Sequence, residues 1–318
     1  MDNQSETQTM KIRSARACIA EGYRLYTNHF RTIFRRTWMA AVFYSLVIGV
    51  LGTFCVVKMP RMAVLYTMDI FPQEAVLKKD LMMLVWFVLL EMVYAVAVIW
   101  MVSCGTSILR EHLLGGQIAK AKKWYIPLLD RPVIWRVLKA VACLTVIGLI
   151  VLFIMSTTQR ALLHVLSPMA TKVAISLIIL LVVMLLLPFV YITTKYLLTT
   201  QTAFWKLTIK DYSVAFRRIG LIFVIVLVTA LIVLLIQGFI SMPAIILTEA
   251  NVQANMGVLM GDPLGMPSFM TGLTASVFFF AGFVQAYTHM SMLFPAYYMY
   301  GTIETQEQER KNEKNPIH

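Results

Sequence analysis

Charged residues are scarce in this chain, and their scarcity excludes an ordinary soluble fold. Only 14% of the 318 residues are Asp, Glu, Lys or Arg, whereas soluble domains carry about a quarter. Apolar residues make up 59% of the chain, and its mean hydropathy is +0.74. No polar segment is long enough for a separate soluble domain, so we expect one membrane domain.

Residues that bind metals or perform catalysis are also few and scattered. The four cysteines form no CxxC pair, and the five histidines fall on both sides of the expected membrane, which argues against a shared metal site. The chain lacks HExxH, GxSxG, a paired acidic motif for phosphoryl transfer and a phosphate-binding loop. We therefore expect no cofactor, and an enzyme is the least favoured functional class.

What the chain does have is a set of long apolar stretches. A spanning helix needs about 20 mainly apolar residues to cross a hydrocarbon core about 30 Å thick. Six windows meet this requirement and predict an all-α, polytopic membrane protein with a six-helix bundle. The expected spans are 38–58, 81–107, 134–156, 172–194, 218–242 and 272–297.

The lysines and arginines give this bundle an orientation. With the N-terminus inside, the segments 1–37, 108–139, 195–218 and 298–318 hold 22 of the 28 basic residues. This asymmetry follows the positive-inside rule. We therefore expect a six-span domain over 38–297 in a bacterial inner membrane, with both termini in the cytoplasm. The segment 298–318 is the expected cytoplasmic tail; after Tyr300 it is rich in Glu, Gln, Lys and Asn, and we expect that part to be solvated.

The same charge distribution identifies the expected partner of the inner face. The basic residues lie along four segments close to the membrane, where they meet anionic lipid of the inner leaflet. A nucleic-acid partner is disfavoured, because these residues are not gathered on one soluble module.

The segment before the first span predicts an amphipathic helix. Its apolar side chains recur every three or four residues and occupy one face, with arginines in a neighbouring stripe. The apolar face comprises Ile19, Tyr23, Tyr26, Phe30, Ile33 and Phe34. The arginine stripe comprises Arg13, Arg24, Arg31 and Arg35. We expect this helix to lie in the headgroup plane as an anchor, with lipid sensing or partner docking as the alternative.

Four strongly polar side chains fall within the spans and are the candidates for a site. Glu91 lies near the middle of the second span, and Gln237 lies near the outer end of the fifth. Gln285 and His289 share a face of the sixth span. Ionisable groups at this depth often serve proton or substrate pathways. The favoured alternative is that they form interhelical hydrogen bonds that support packing.

A long outer loop is expected between the fifth and sixth spans. Residues 243–271 contain no Lys or Arg, and include a Met-, Gly- and Pro-containing stretch from Met256 to Pro267. Loops of this length often have a function, so this one could cover an outer vestibule or meet a partner. It could equally rest at the membrane interface.

The layout resembles that of two groups of bacterial membrane proteins. It has a basic and aromatic segment from Tyr26 to Trp38, similar segments at 134–136 and 216–218, and six spans. These features resemble YciC-like proteins and the membrane domain of glycerophosphodiester phosphodiesterases. The resemblance covers most of the chain but includes no diagnostic residue, so no functional residue is carried over. It implies an inner-membrane protein without a catalytic domain of its own.

Two functional expectations follow from the sequence. The leading one is a non-enzymatic protein that supports envelope or lipid organisation, or that serves as the membrane subunit of an assembly with a membrane-protein partner. The alternative is a small-solute transporter with a polar site near the middle of the membrane, built from Glu91, Gln285 and His289.

Overall fold

The chain is almost entirely helical in a computed structural model that describes residues 11–57, 74–115, 118, 128, 130–165, 167–199, 204–261 and 267–314. Ten helices and no strands occur among these residues, which confirms the predicted all-α fold. The helices are α1 (Ala15–Asn28), α2 (Phe30–Val57), α3 (Glu74–Gly115), α4 (Arg131–Val165), α5 (Pro168–Leu186), α6 (Pro188–Leu198), α7 (Phe204–Arg217), α8 (Ile219–Leu259), α9 (Phe269–Ser291) and α10 (Leu293–Lys314).

Six helical segments of the described chain are long and apolar enough to cross a membrane, as the sequence predicted. Two of them are interrupted by a single non-helical residue. Leu187 separates α5 from α6, and Met292 separates α9 from α10. Each break lies close to a proline, Pro188 or Pro295, whose missing N–H removes one backbone hydrogen bond from the helix.

Helix α8 is longer than the predicted fifth span, and it replaces most of the expected outer loop. It runs through Pro243 and ends at Leu259, close to Gly261 with its left-handed φ of 99°. Its 41 residues correspond to about 60 Å, or twice the hydrocarbon thickness. The prediction of a loop from residue 243 is wrong because a membrane helix tolerates an internal proline that would end a soluble one.

The expected solvated tail is also a packed helix over most of its length. Helix α10 continues to Lys314, and Met299, Ile303 and Glu307 are buried at a spacing of four residues. The side chains at 308 and 309 on the opposite face are exposed. The buried stripe of Met299, Ile303 and Glu307 is not apparent from the overall polar composition. The expectation of a solvated end is therefore wrong up to Glu307.

The packed core lies in one half of the bundle. We call this half inner, following the expected orientation, because it contains α1 and most of α10. Residues 97–109 of α3 are almost all buried, whereas most apolar side chains from 81 to 96 of the same helix are exposed. Helix α6 is likewise mostly buried, and α5 is mostly exposed. The outer halves of the helices therefore present the apolar surface that hydrocarbon would cover.

Candidate functional site

An apolar cavity of about 420 Å³ lies between α4, α6, α8 and α10. Its wall includes Ile147 and Gly148 of α4 and is almost entirely hydrocarbon. Three threonines are the exceptions, and two of them, Thr194 and Thr229, donate to carbonyl groups of their own helices. The hydroxyl of Thr193 is buried and has no hydrogen-bond partner within the described chain. The cavity thus offers one unsatisfied polar group in an apolar surround.

Arg136 of α4 contacts α6 next to this cavity. Nη1 of Arg136 donates to the carbonyl oxygen of Tyr196 over 2.8 Å, and the guanidinium lies 5.0 Å from the centre of the Tyr196 ring. Leu197, the next residue, lines the cavity. Nε of Arg110 is buried and has no partner among the residues described.

A second, smaller cavity of about 260 Å³ lies between α2, α3 and α9. Tyr44, Tyr94 and His289 contribute polar groups to its wall. The two tyrosine hydroxyls are 3.4 Å apart, and the amide N–H of Gln237 donates to Nε2 of His289 over 2.5 Å. Gln237 and His289 therefore satisfy each other across α8 and α9.

The structure brings only two of the four predicted intramembrane residues together. Gln237 and His289 are hydrogen-bonded, whereas Glu91 and Gln285 line neither cavity. Within the described chain Glu91 makes no hydrogen bond or ion pair; its side chain is half-buried on α3. Tyr94, one turn further along α3, is the residue that reaches the smaller cavity. A functional role for these four side chains stays a prediction.

Helix α1 packs on α10 of the same chain through a face that shares only Tyr26 with the predicted apolar face. The buried residues of α1 are Cys18, Gly22 and Tyr26, at a spacing of four. Sγ of Cys18 lies 3.4 Å from Oγ1 of Thr302, and the Tyr26 hydroxyl donates to the carbonyl of Tyr287 over 3.0 Å. Burial raises the pKa of the Cys18 thiol above its ordinary value.

The predicted arginine stripe divides into two environments. Arg24, Arg31 and Arg35 are exposed. The side chain of Arg13 is only 8% exposed, pairs with Glu21 and lies over a tyrosine ring of α10. The exposed three are thus placed where they could meet lipid headgroups, whereas Arg13 belongs to the contact between the two helices.

Several other basic side chains at the inner end of the bundle have carboxylate partners. Nζ of Lys195 lies 2.9 Å from Asp211 and 2.6 Å from Glu304. Arg36 forms a bidentate pair with Glu111, with N–O distances of 2.6 and 2.7 Å. These pairs join α6 to α7 and α10, and α2 to α3. They have the satisfied geometry of packing contacts, which distinguishes them from Arg110.

Neither the described side chains nor a related protein indicates a cofactor or a catalysed reaction. Within the described residues no three His, Cys, Asp or Glu side chains come together as a metal site. The larger cavity could not be recognised from the sequence, and Arg110 and Arg136 look there like any other inner basic residue. Comparison of the chain with protein-family models, with curated proteins and with solved structures finds no match.

Proposed function

We propose that this protein binds a membrane lipid, with one hydrocarbon chain in the larger cavity, and so takes part in the lipid organisation of a bacterial inner membrane. Both termini are cytoplasmic in this proposal. The observation that carries it is the apolar wall of a cavity of about 420 Å³ set among membrane-spanning helices. Apolar cavities tend to stay free of water, so hydrocarbon is the natural occupant.

The position of the cavity favours a lipid over a dissolved small molecule. Residues adjacent in sequence to its wall, Leu149 next to Gly148 and Leu185 next to Leu186, are 61% and 46% exposed on the surface that faces hydrocarbon. A lipid chain can therefore reach the cavity from the bilayer without crossing water. A polar solute would find a single unpartnered hydroxyl, at Thr193, to replace its hydration.

Solute transport has less support from the same geometry. A transport site needs polar groups that are available to the substrate. In the smaller cavity Gln237 and His289 bond to each other, and Glu91 does not line the wall. Unchanged solute flux in Glu91→Gln would count further against transport, whereas lost flux would favour it over lipid binding.

The sequence also predicted, as an alternative to lipid organisation, that the chain is the membrane subunit of a larger assembly. Purification from native membranes tests it, because a stoichiometric protein partner would accompany the chain. Recovery with lipid alone would favour lipid binding without such a partner.

The sharpest test of lipid binding fills the cavity. Gly148 lines it, and a Cβ built at this position has no neighbouring atom within 4 Å. Gly148→Phe therefore places a ring in the cavity without displacing backbone. Gly238→Phe is the matched control, because Gly238 is exposed on α8 and equally free of neighbours.

The measurement uses a phospholipid that carries a photoreactive group near the end of one chain, in lipid nanodiscs. We expect crosslinks to cavity residues of α4, α6 and α8 in the unchanged protein and in the Gly238→Phe control. Gly148→Phe is expected to lose these crosslinks while keeping those to exposed residues such as Leu181. Identical crosslinking in all three proteins would contradict the proposal.

A further inference from the structure

The smaller cavity has an unused hydrogen-bond donor in its wall. Tyr44 of α2 and Tyr94 of α3 both line it, and their hydroxyl oxygens are 3.4 Å apart. Whichever hydroxyl donates to the other, the second proton has no acceptor among the described residues. Tyr44 is only 2% exposed, and a buried donor without an acceptor is costly. A ligand that supplies an acceptor would remove this cost.

The separation of the two hydroxyl oxygens also suits a shared acceptor. Hydrogen bonds between hydroxyl groups are usually about 2.5–3.0 Å long, so the 3.4 Å contact between Tyr44 and Tyr94 is a weak one. A carbonyl oxygen has two lone pairs and can accept from both hydroxyls at once. Such an oxygen would therefore replace one long hydrogen bond by two bonds of ordinary length.

His289 adds a further donor to the same wall. Its Nε2 accepts from the amide of Gln237, so the ring is neutral and carries its proton on Nδ1. Within the described chain this Nδ1–H has no acceptor. The polar groups of the wall therefore offer more donors than acceptors, which favours a ligand that has several acceptors and no donor.

The rest of the cavity sets the size and the polarity of the ligand. Met101 and Leu293 are among the apolar side chains that complete the wall. An apolar cavity of about 150 Å³ holds a benzene ring, so a cavity of about 260 Å³ accommodates one substituted ring system. Val93, next to Tyr94 on α3, is 42% exposed, and His289 is exposed as well. A ligand dissolved in the bilayer can therefore reach this cavity.

We infer that the smaller cavity binds a lipid-soluble quinone. One carbonyl oxygen of the quinone accepts from the hydroxyls of Tyr44 and Tyr94, and its ring lies against the apolar wall. A quinone has two carbonyl acceptors, no donor and a flat ring, and these properties match the donors and the size of the cavity. The inference goes beyond the lipid binding proposed for the larger cavity, and each is tested by its own variants.

Equilibrium binding of tritiated menadione, a methylated naphthoquinone, to the full chain in detergent tests this site. Methylnaphthalene is the matched ligand, because it has the same rings without the carbonyl groups. We expect the unchanged protein to bind menadione about tenfold more tightly or better. Tyr44→Phe and Tyr94→Phe should each weaken menadione about threefold to tenfold, as expected for the loss of one neutral hydrogen bond. Neither variant should weaken methylnaphthalene.

Tyr212→Phe is the matched control variant, because the Tyr212 hydroxyl donates to the carbonyl of Leu185 outside this cavity. We expect it to leave the binding of menadione unchanged. Gly148→Phe, which fills the larger cavity, should also leave it unchanged. Retained binding of methylnaphthalene shows that the smaller cavity is intact in each variant, so the two ligands together separate a lost donor from misfolding.

Several results would overturn the inference. One is equal affinity for menadione and methylnaphthalene, and another is equal menadione binding by the three Tyr→Phe variants. Equal weakening of both ligands in Tyr44→Phe and Tyr94→Phe would give the tyrosines a purely structural role. Loss of menadione binding in Gly148→Phe alone would place the quinone in the larger cavity. Intact menadione preference with identical phospholipid crosslinking in all proteins would instead refute only the proposed function.

Discussion

Helix α1 lies so close to α10 that Gly22 has no room for a side chain. A Cβ at this position would lie 2.6 Å from the backbone nitrogen of Pro295 and 2.9 Å from the carbonyl carbon of Phe294. Backbone atoms of a helix cannot rotate away, so Gly22→Ala must move α1 outward. Gly220→Ala is the matched control, since a Cβ there meets nothing within 4 Å.

The size of the effect follows from the contact distances. Inserting a methyl group into a closely packed contact costs about 1–3 kcal/mol. Replacing glycine by alanine inside a helix also gains about 1 kcal/mol, and this gain is shared by the control. The difference between the two variants therefore isolates the clash. It corresponds to about a 5–150-fold change in the equilibrium between docked and displaced α1.

The accessibility of Cys18 measures this displacement. Cys18 lies one turn before Gly22 on the same face, is fully buried, and has a raised thiol pKa. Both properties slow its reaction with a maleimide, because the thiolate is the reactive form. With the other cysteines replaced by alanine, we expect Cys18 to label about 5–150 times faster in Gly22→Ala than in Gly220→Ala.

Equal labelling of the two variants would refute the docking of α1 on α10. It would fit a helix that lies free on the membrane surface, which is the arrangement expected from sequence. A matching pair of proteins that retain only Cys104, which is buried in α3, reports on the rest of the bundle. Faster labelling of Cys104 as well would mean that Gly22→Ala loosens the whole fold instead of one helix.

Three further substitutions test the polar contacts, each measured by thermal unfolding in detergent. Glu111→Gln leaves the largely buried Arg36 without its bidentate partner, and we expect a loss of about 1.5–3 kcal/mol. Lys195→Met leaves two mostly buried carboxylates without their cation, and a loss of about 3–5 kcal/mol is expected. Gln237→Leu removes the bond to His289 and should cost only about 0.6 kcal/mol, with lipid binding unchanged. A loss of lipid binding in Gln237→Leu would instead place the ligand in the smaller cavity.

The number of spans could be predicted because each span must by itself be long and apolar enough to cross the membrane. Hydropathy within each stretch is enough to recognise a span, and all six appear among the described helices. The ends of α8 and α10 could not be predicted in the same way. Pro243 and the polar residues after Tyr300 both suggest a helix end locally, and only packing and the membrane environment keep the helix intact.

The cavity could not be predicted because it depends on which side of each helix meets another helix. Ile147 and Leu149 are similar in chemistry and two residues apart, yet one lines the cavity and the other is 61% exposed. The arginines present the same difficulty. Arg24 and Arg110 contribute equally to the positive-inside rule, and only the buried, unpartnered Nε of Arg110 separates them.

The break before α10 connects the cavity to the docking of α1. Pro295 cannot donate to the carbonyl of Ser291, and the helix is interrupted at Met292. On one side of α10, Ala296 lines the larger cavity, whereas on another the backbone of Pro295 meets Gly22 of α1. A lipid in the cavity and a docked α1 therefore order the same helix. Because coupling between two binding events is reciprocal, lipid binding should slow the labelling of Cys18, and Gly22→Ala should weaken lipid binding by up to the same factor.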